Sequence, residues 1–449
     1  MKKSNLPVAI IGLGKTGISI AKYLNKNKIK YIAYDTRENL NITDEIKKNI
    51  DSKNIVLGKL KKNFLEFHDN FIISPGISLE KNLLSEIESS GKNIQTDIDI
   101  FNDHKRNNIV CITGSNGKTT VTLIIEHVLN GLGKKAKAGG NVGLPALELL
   151  SEDYDYNVLE LSSFQLEMTK EINCKVSLIT NIVPDHLDRH ESFENYIDIK
   201  HRIFNKTEYI IINESDVNIK KHNFEYKFSF RQDKPNNSSS FGINKENGIN
   251  YIYHGSKRIL SERDVKLIGF HNLLNICSSL AVLSALNLDI DKSIEIIKSF
   301  DSIEHRMENF FNIDNIQWIN DSKATNIEST ISAINSLESN IILILGGKSK
   351  TSNYEKLNEA LKNKVDYLIL FGECKDLLNK KIKSVKNTTK AKNFEDAIKK
   401  ARDYSKNISN NGKSNISILL SPACSSYDMF KSYEERGNFF KELVLNQYR

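Results

Sequence analysis

The stretch Asn108–Thr120, Asn-Ile-Val-Cys-Ile-Thr-Gly-Ser-Asn-Gly-Lys-Thr-Thr, narrows the possible folds more than any other part of the chain. A β-branched apolar run, Ile109–Ile112, breaks into a glycine turn and opens a helix at Lys118, the layout of a nucleotide phosphate cradle. Gly114 and Gly117 carry no Cβ, so the backbone can close around a phosphate. The phosphate's charge would be met by N–H groups, the helix N-terminus and the Lys118 ammonium. Ser115, Asn116 and Thr120 complete the loop, and Thr119 can offer its hydroxyl to Mg²⁺. Only Ser115 and Asn116 separate the glycines, so this is a contracted form of the motif. A plain glycine turn would not need the strand before it or the helical pattern Val121–Leu132 after it.

At 449 residues the chain exceeds one ordinary hydrophobic core and suggests about two to four domains. With 39% apolar and 27% charged residues it reads as soluble and globular, and no apolar run approaches the roughly 20 residues of a membrane-spanning helix. The basic start runs at Val8–Gly12 into a glycine turn instead of a long apolar core and a cleavage site, which argues against export and for a cytoplasmic protein. Cys111, Cys174, Cys277, Cys374 and Cys424 have no paired spacing and read as reduced core residues, neither a disulfide framework nor a zinc site. The net charge of +7 suits anionic small molecules; interspersed with acids and gathered into no basic arm, it does not call for nucleic acid.

Three blocks repeat buried strand, tight turn and helix, the grammar of parallel α/β sheets. The first holds Val8–Ile11, Tyr31–Tyr34 and Phe71–Ile73. The second holds Ile109–Ile112, Val158–Leu161, Val176–Thr180 and Tyr209–Ile212, and the third Ile341–Leu345, Tyr367–Phe371 and Ile416–Leu420. From Glu214 to Lys266 the pattern is polar and partly alternating, and Asn236–Ser240 reads as a surface loop between antiparallel strands.

In the first block, Gly12, Gly14 and Gly17 follow a strand and open a helix, with Lys15 and Thr16 in the turn, and Asp35 ends the next strand where an acid meets a ribose. Arg37, after Thr36, adds a cation that can fork onto phosphate, and Gly76 marks a second glycine turn. Alone this fingerprint suggests NAD, but a dehydrogenase does not need the second cradle at Gly114. The residues themselves specify a diphosphate and a ribose.

Further on come Gly139-Gly-Asn-Val-Gly-Leu-Pro145, Leu159-Glu-Leu-Ser-Ser-Phe-Gln165 and Thr180-Asn-Ile-Val-Pro-Asp-His-Leu-Asp-Arg-His190. With these the chain resembles, nearly end to end, the Mur ligases, ATP-dependent amino-acid-adding enzymes of peptidoglycan precursor synthesis. The resemblance implies a three-domain α/β fold. A Rossmann-like N-terminal domain (1–98) would bind the UDP substrate, a central P-loop ATPase-like domain (99–303) ATP, and a C-terminal Rossmann-like domain (304–449) the amino acid. Glu160 would be a Mg²⁺ ligand with Thr119, and His186 would serve a second Mg²⁺. Lys200 falls on the apolar stripe of Phe193, Tyr196, Ile197, Ile203 and Phe204, an expensive place for a cation; burial lowers an amine's pKa and lets it react with CO₂. The family's lysine at this position is carbamylated and supports the metals. Asn141, Ser162 and Gln165 match positions that hold the muramoyl substrate, and His271, Asn272 and Asn275 the adenine-side motif.

In the last block, Arg306 and Asp321 match nucleotide contacts, Lys323 faces the phosphate, and Thr325 meets the incoming amino acid. The segment Leu420–Gly437 resembles that of the D-glutamate adders, with Ser421 and Phe430 at the glutamate contacts. Lys350 matches the lysine that pairs with a glutamate carboxylate, although Lys348 and Ser349 replace the family's acid and glycine and leave Lys348 as an alternative.

The expected reaction is ATP-dependent phosphorylation of the L-alanine carboxylate of UDP-N-acetylmuramoyl-L-alanine, attack by the D-glutamate amine, and loss of phosphate to leave an amide. ATP and two Mg²⁺ are the expected cofactors, and a monomer without nucleic acid or membrane insertion the expected state. Another Mur ligase or a folylpolyglutamate synthase-like ligase is the nearest alternative. A nicotinamide-dependent oxidoreductase or a nucleic-acid-stimulated ATPase would leave the segments 180–190, 320–326 and 421–437 unexplained.

Overall fold

A computed structural model describes residues 4–60, 62–77, 86–104, 108–220, 225–301, 303–349, 354–410 and 412–448. Lys350 lies outside the described residues. Three sheets form, one for each block read from the sequence.

The first contains β1 (Val8–Ile11), β2 (Tyr31–Asp35), β3 (Ile55–Leu57), β4 (Asn70–Ile73) and β5 (Asn93–Gln95), in the order β3-β2-β1-β4-β5. All its pairings are parallel. The order reverses between β1 and β4, where an open α/β sheet leaves a crevice outside its carboxyl ends. The second sheet contains β6 (Ile109–Thr113), β7 (Ala136–Gly140), β8 (Tyr156–Glu160), β9 (Cys174–Ile179), β10 (Thr207–Asn213), β11 (Phe228–Phe230), β12 (Ser240–Glu246), β13 (Ile249–His254) and β14 (Lys257–Ser261). Its order is β14-β13-β12-β11-β10-β9-β6-β8-β7. The Asn236–Ser240 cluster does join two strands, but β11 and β12 pair in parallel, not antiparallel. A parallel partner cannot be signalled by a short polar loop, because loop composition carries no strand direction. The third sheet contains β15 (Glu308–Ile313), β16 (Ile316–Asn320), β17 (Asn340–Gly346), β18 (Val365–Phe371), β19 (Thr388–Lys390) and β20 (Ile416–Leu420), ordered β15-β16-β20-β17-β18-β19. In this sheet β15 runs against its neighbour and the other described pairings are parallel.

Parallel strands covered on both faces must be apolar throughout, and β6, β17 and β20 are nearly so. Alternation then divides β17: Ile341, Leu343 and Leu345 enter one core, Ile342 and Ile344 the other. The chain forms two compact units, the first of residues 1–244, 252–259 and 275–297, the second of 245–251, 260–274 and 298–449. Within the first unit, Asp99 ties the first sheet's exit to the middle segment by accepting hydrogen bonds from the Thr96 and Lys170 N–H groups at 2.8 and 2.9 Å. Among the described residues no helix is long and apolar enough to cross a membrane.

Candidate active site

Because β6, β7, β8 and β9 run parallel, the segments that follow them emerge at one edge. Gly114–Thr119, Asn141, Leu161–Ser163 and Thr180–His186 are brought together there. Gly114 and Gly117 have φ of 146° and 84°, conformations that disfavour a side chain. A Cβ would run into the Thr180 hydroxyl at the first and the Asn275 side chain at the second. The helix Lys118–Gly131 starts immediately after this turn. The loop is held from behind: Thr180 Oγ1 donates to the Asn116 carbonyl (2.6 Å), the Asn116 N–H to Asn181 Oδ1 (3.0 Å), and Ser115 Oγ to the Val183 carbonyl (2.9 Å).

Two lysine side chains converge on one carbonyl. Lys118 Nζ and Lys200 Nζ donate to the Gly114 oxygen at 2.7 and 2.8 Å. Lys200, in the helix Phe193–His201, is 1% exposed and sits 4.6 Å over the Tyr196 ring, where the apolar stripe predicted it. Burial, and then the Lys118 charge, push its amine well below the ordinary lysine range. Beside them Thr119 Oγ1 donates to Glu160 Oε2 and Asn141 Nδ2 to Glu160 Oε1, each at 2.6 Å. His186 adopts the left-handed conformation (φ 52°) and rests against Phe164, with ring centres 5.1 Å apart, and 3.7 Å from Asp185.

No three His, Cys, Asp or Glu side chains form a ready-made metal cage among the described residues. Glu160 and Thr119 do supply adjacent hard oxygen donors, the kind suited to Mg²⁺ when substrate phosphates complete its shell.

Other sequence-selected residues are engaged differently. Ser162 and Gln165 form a reciprocal capping box at the start of the helix Ser163–Met168. Asp35, 1% exposed, has both oxygens occupied: Oδ2 accepts from the Leu13 N–H and Arg37 Nη2, Oδ1 from the Arg37 N–H and Nε. Burial pushes this carboxyl up, but the guanidinium and the two N–H groups outweigh it and hold it below the ordinary range. With its acceptor positions filled in this way, the carboxylate braces the glycine turn. Gly14, Lys15, Thr36, Arg37 and Gly76 are exposed around the β1–β4 crevice, with Thr16 half-buried. Asn272 Nδ2 donates to the Ile268 carbonyl (2.8 Å), and burial pushes His271 down to about 4.

In the second unit the segments after β16, β17, β18 and β20 share one edge. Asp321 Oδ2 accepts from Ser421 Oγ (2.8 Å) and Oδ1 from the Met307 N–H (3.2 Å); burial raises its pKa to about 7. Lys323 Nζ lies 3.8 Å over the Tyr433 ring, and Thr325 and Arg306 are half-buried. Ser421 is 0% exposed and its hydroxyl also reaches Thr330 Oγ1 (3.1 Å). Phe430 packs on Phe394 and Phe439. The residue that sequence reading passed over is Arg436, 0% exposed, whose guanidinium donates to Ser322 Oγ (2.9 Å), the Ser322 carbonyl (2.7 Å) and the Cys424 carbonyl (3.2 Å). An arginine within Glu-Glu-Arg-Gly on a helix looks like surface, and only its four-residue spacing from Phe440 and then Val444, both on the buried face, could have signalled otherwise.

A glycine turn that opens a helix on the second sheet, with a further, largely parallel α/β sheet before it and another after it in the chain, is the layout of a nucleotide-using ligase of the Mur class. Family models match in order: the Mur ligase MurD-like N-terminal domain at residues 7–96, the Mur ligase middle domain at 112–283 and the Mur ligase glutamate ligase domain at 305–424. The chain belongs to the Mur ligase family. It is 32% identical over 445 residues to UDP-N-acetylmuramoylalanine--D-glutamate ligase of Legionella pneumophila (strain Paris), covering 97% of this chain and 98% of that one. It is 34% identical over 450 residues to the enzyme of the same name from Coxiella burnetii (strain Dugway 5J108-111), covering 99% of each. Among solved structures, UDP-N-acetylmuramate-alanine ligase MurC from Thermotoga maritima has the same fold, with a TM-score of 0.63 at 18% identity over 99% of this chain and 100% of that one. MurF ligase from Thermotoga maritima in complex with ADP follows at 0.58 and 16%, over 98% and 96%.

Proposed function

We propose that this chain is the ATP-dependent ligase that joins D-glutamate to UDP-N-acetylmuramoyl-L-alanine in peptidoglycan precursor synthesis. The observation that carries the reading is the convergence of Lys118 and Lys200 on the Gly114 carbonyl beside the Thr119–Glu160–Asn141 chain. Full-length similarity to D-glutamate ligases supports the choice of substrates.

In this reading residues 1–98, 99–303 and 304–449 bind the UDP substrate, ATP and the amino acid respectively. The first division falls inside the helix Asp97–His104. The exposed Gly14–Thr16 turn, Thr36, Arg37 and Gly76 meet the UDP diphosphate, with Asp35 bracing them. Lys118 leaves the loop carbonyls for the ATP phosphates, and its charge meets the negative charge that builds up as phosphate is transferred. Thr119 and Glu160 would hold Mg²⁺, with His186 and a carbamylated Lys200 serving a second ion; the metal, when bound, neutralises phosphate charge. Asn141 keeps Glu160 oriented. Lys323 and Asp321 serve the nucleotide, Thr325 the amino acid, and Lys348 or Lys350 a glutamate carboxylate. Burial is what keeps the Lys200 amine uncharged and nucleophilic enough to take up CO₂.

Phosphate release is the test. It is expected with ATP, UDP-N-acetylmuramoyl-L-alanine and D-glutamate together, and to stop when either acceptor or amino acid is omitted. Release driven equally well by another amino acid or by a folate acceptor would move the chain to another branch of the family.

A further inference from the structure

All five cysteines are buried; Cys111 and Cys174 neighbour each other in the core of the second sheet, and a second pair meets at the edge of the third. Cys374, three residues past β18, and Cys424, four past β20, have their sulfurs 3.4 Å apart although 50 residues separate them in sequence. β17 lies between those strands in the sheet, so the two loops can touch only over its end. Gly347 makes that possible, because a Cβ there would lie 3.3 Å from the Cys424 Cβ and collide with the Ser425 carbonyl. The same turn is clamped on both sides: Lys348 and Ser425 exchange backbone hydrogen bonds at 2.9 and 3.0 Å, and the Cys374 N–H donates to the Gly347 carbonyl at 3.0 Å.

We propose that Cys374 and Cys424 are an oxidisable dithiol, a two-electron modification site at which a peroxide closes a disulfide across the amino-acid edge of the third sheet. Its effect on D-glutamate rests on the function proposed above; the disulfide itself does not. Cys374 is the entry point, at 6% exposure against 0% for Cys424. The hydrogen bond from Cys424 also pulls the Cys374 thiol below its ordinary value, raising its thiolate fraction. The Cys374 thiolate attacks one peroxide oxygen, the O–O bond breaks and hydroxide leaves, giving a sulfenic acid. The Cys424 sulfur then attacks the Cys374 sulfur, forming S–S as the S–O bond breaks and a second hydroxide departs. The two thiol protons neutralise the two hydroxides, so two thiols and one peroxide give one disulfide and two waters.

Bonding requires the sulfurs to close to about 2.0 Å, which must draw the two loops together. Cys424 cannot move alone, because its carbonyl accepts from Arg436, whose other nitrogens hold Ser322 beside Asp321 and Lys323. Oxidation should therefore weaken amino-acid binding.

The experiment treats the full chain, reduced and freed of thiols, with hydrogen peroxide and maps linked peptides by mass spectrometry, with Cys374→Ser in parallel. The expected result is a Cys374–Cys424 link in the wild type, reversed by dithiothreitol, with KM for D-glutamate raised about fivefold or more and none of this in Cys374→Ser, whose untreated kinetics match wild type. Oxygen added to either sulfur without a link would overturn the site. A link that leaves that KM unchanged would overturn the control it exerts. A link formed in a protein that releases no phosphate with D-glutamate, reduced or oxidised, would sink the substrate reading and leave the site standing.

Discussion

Replacing Asp321 by asparagine isolates one buried carboxyl whose pH linkage can be worked out. Burial raises its pKa from 3.8 in the free residue to about 7 in the fold. Above the lower value the unfolded chain has released this proton while the native protein keeps it, so the native state binds more protons and stability falls as pH rises. The fall runs from about pH 4 to about pH 7 and then levels off; between about pH 5 and pH 8 it amounts to roughly 3 kcal/mol. The asparagine side chain cannot ionise, and the Ser421 hydroxyl, which now donates to Oδ2, can rotate to accept from the new amide. The variant should therefore lose that part of the pH slope while staying folded. The chain's single tryptophan reports on the right region, since Trp318 is 0% exposed in β16, three residues before Asp321. Urea unfolding followed by Trp318 fluorescence should give wild-type and variant curves that diverge toward alkaline pH, the variant gaining. Parallel slopes across the range would refute a raised pKa for Asp321.

Three further outcomes are expected. Lys118→Ala should abolish ligation, by about a thousandfold or more, while calorimetry still detects binding of UDP-N-acetylmuramoyl-L-alanine. Thr119→Val removes the 2.6 Å hydrogen bond to Glu160 and should lower stability by about 1.5–3 kcal/mol and raise the Mg²⁺ concentration for half-maximal rate about tenfold, checked by urea unfolding and a metal titration. Stripping CO₂ from the buffer should slow the wild type, and ¹³C-bicarbonate should give a carbamate carbon resonance that Lys200→Met lacks; a rate indifferent to CO₂ would leave Lys200 an amine.

Local order along the chain was enough to recognise the Gly114–Thr119 turn, since a buried strand, two glycines and a helix-opening lysine are one continuous segment. The buried position of Lys200 was legible for a similar reason: helical period alone puts it on the stripe with Tyr196 and Ile197, and both are buried with it. What the sequence could not decide was how polar groups are spent. Asp35 reads as a ribose partner and Ser421 as an amino-acid partner, and the sequence does not show that each also makes hydrogen bonds inside the protein, with Arg37 and Leu13 in one case and with Asp321 and Thr330 in the other. Arg436 and the Cys374–Cys424 pair were out of reach altogether, because their partners come from loops that only the strand order β16-β20-β17-β18 sets side by side. Motifs travel with the backbone that forms them, whereas hydrogen-bond partners and meeting sulfurs depend on which distant strands pair, and that is settled when the sheets close.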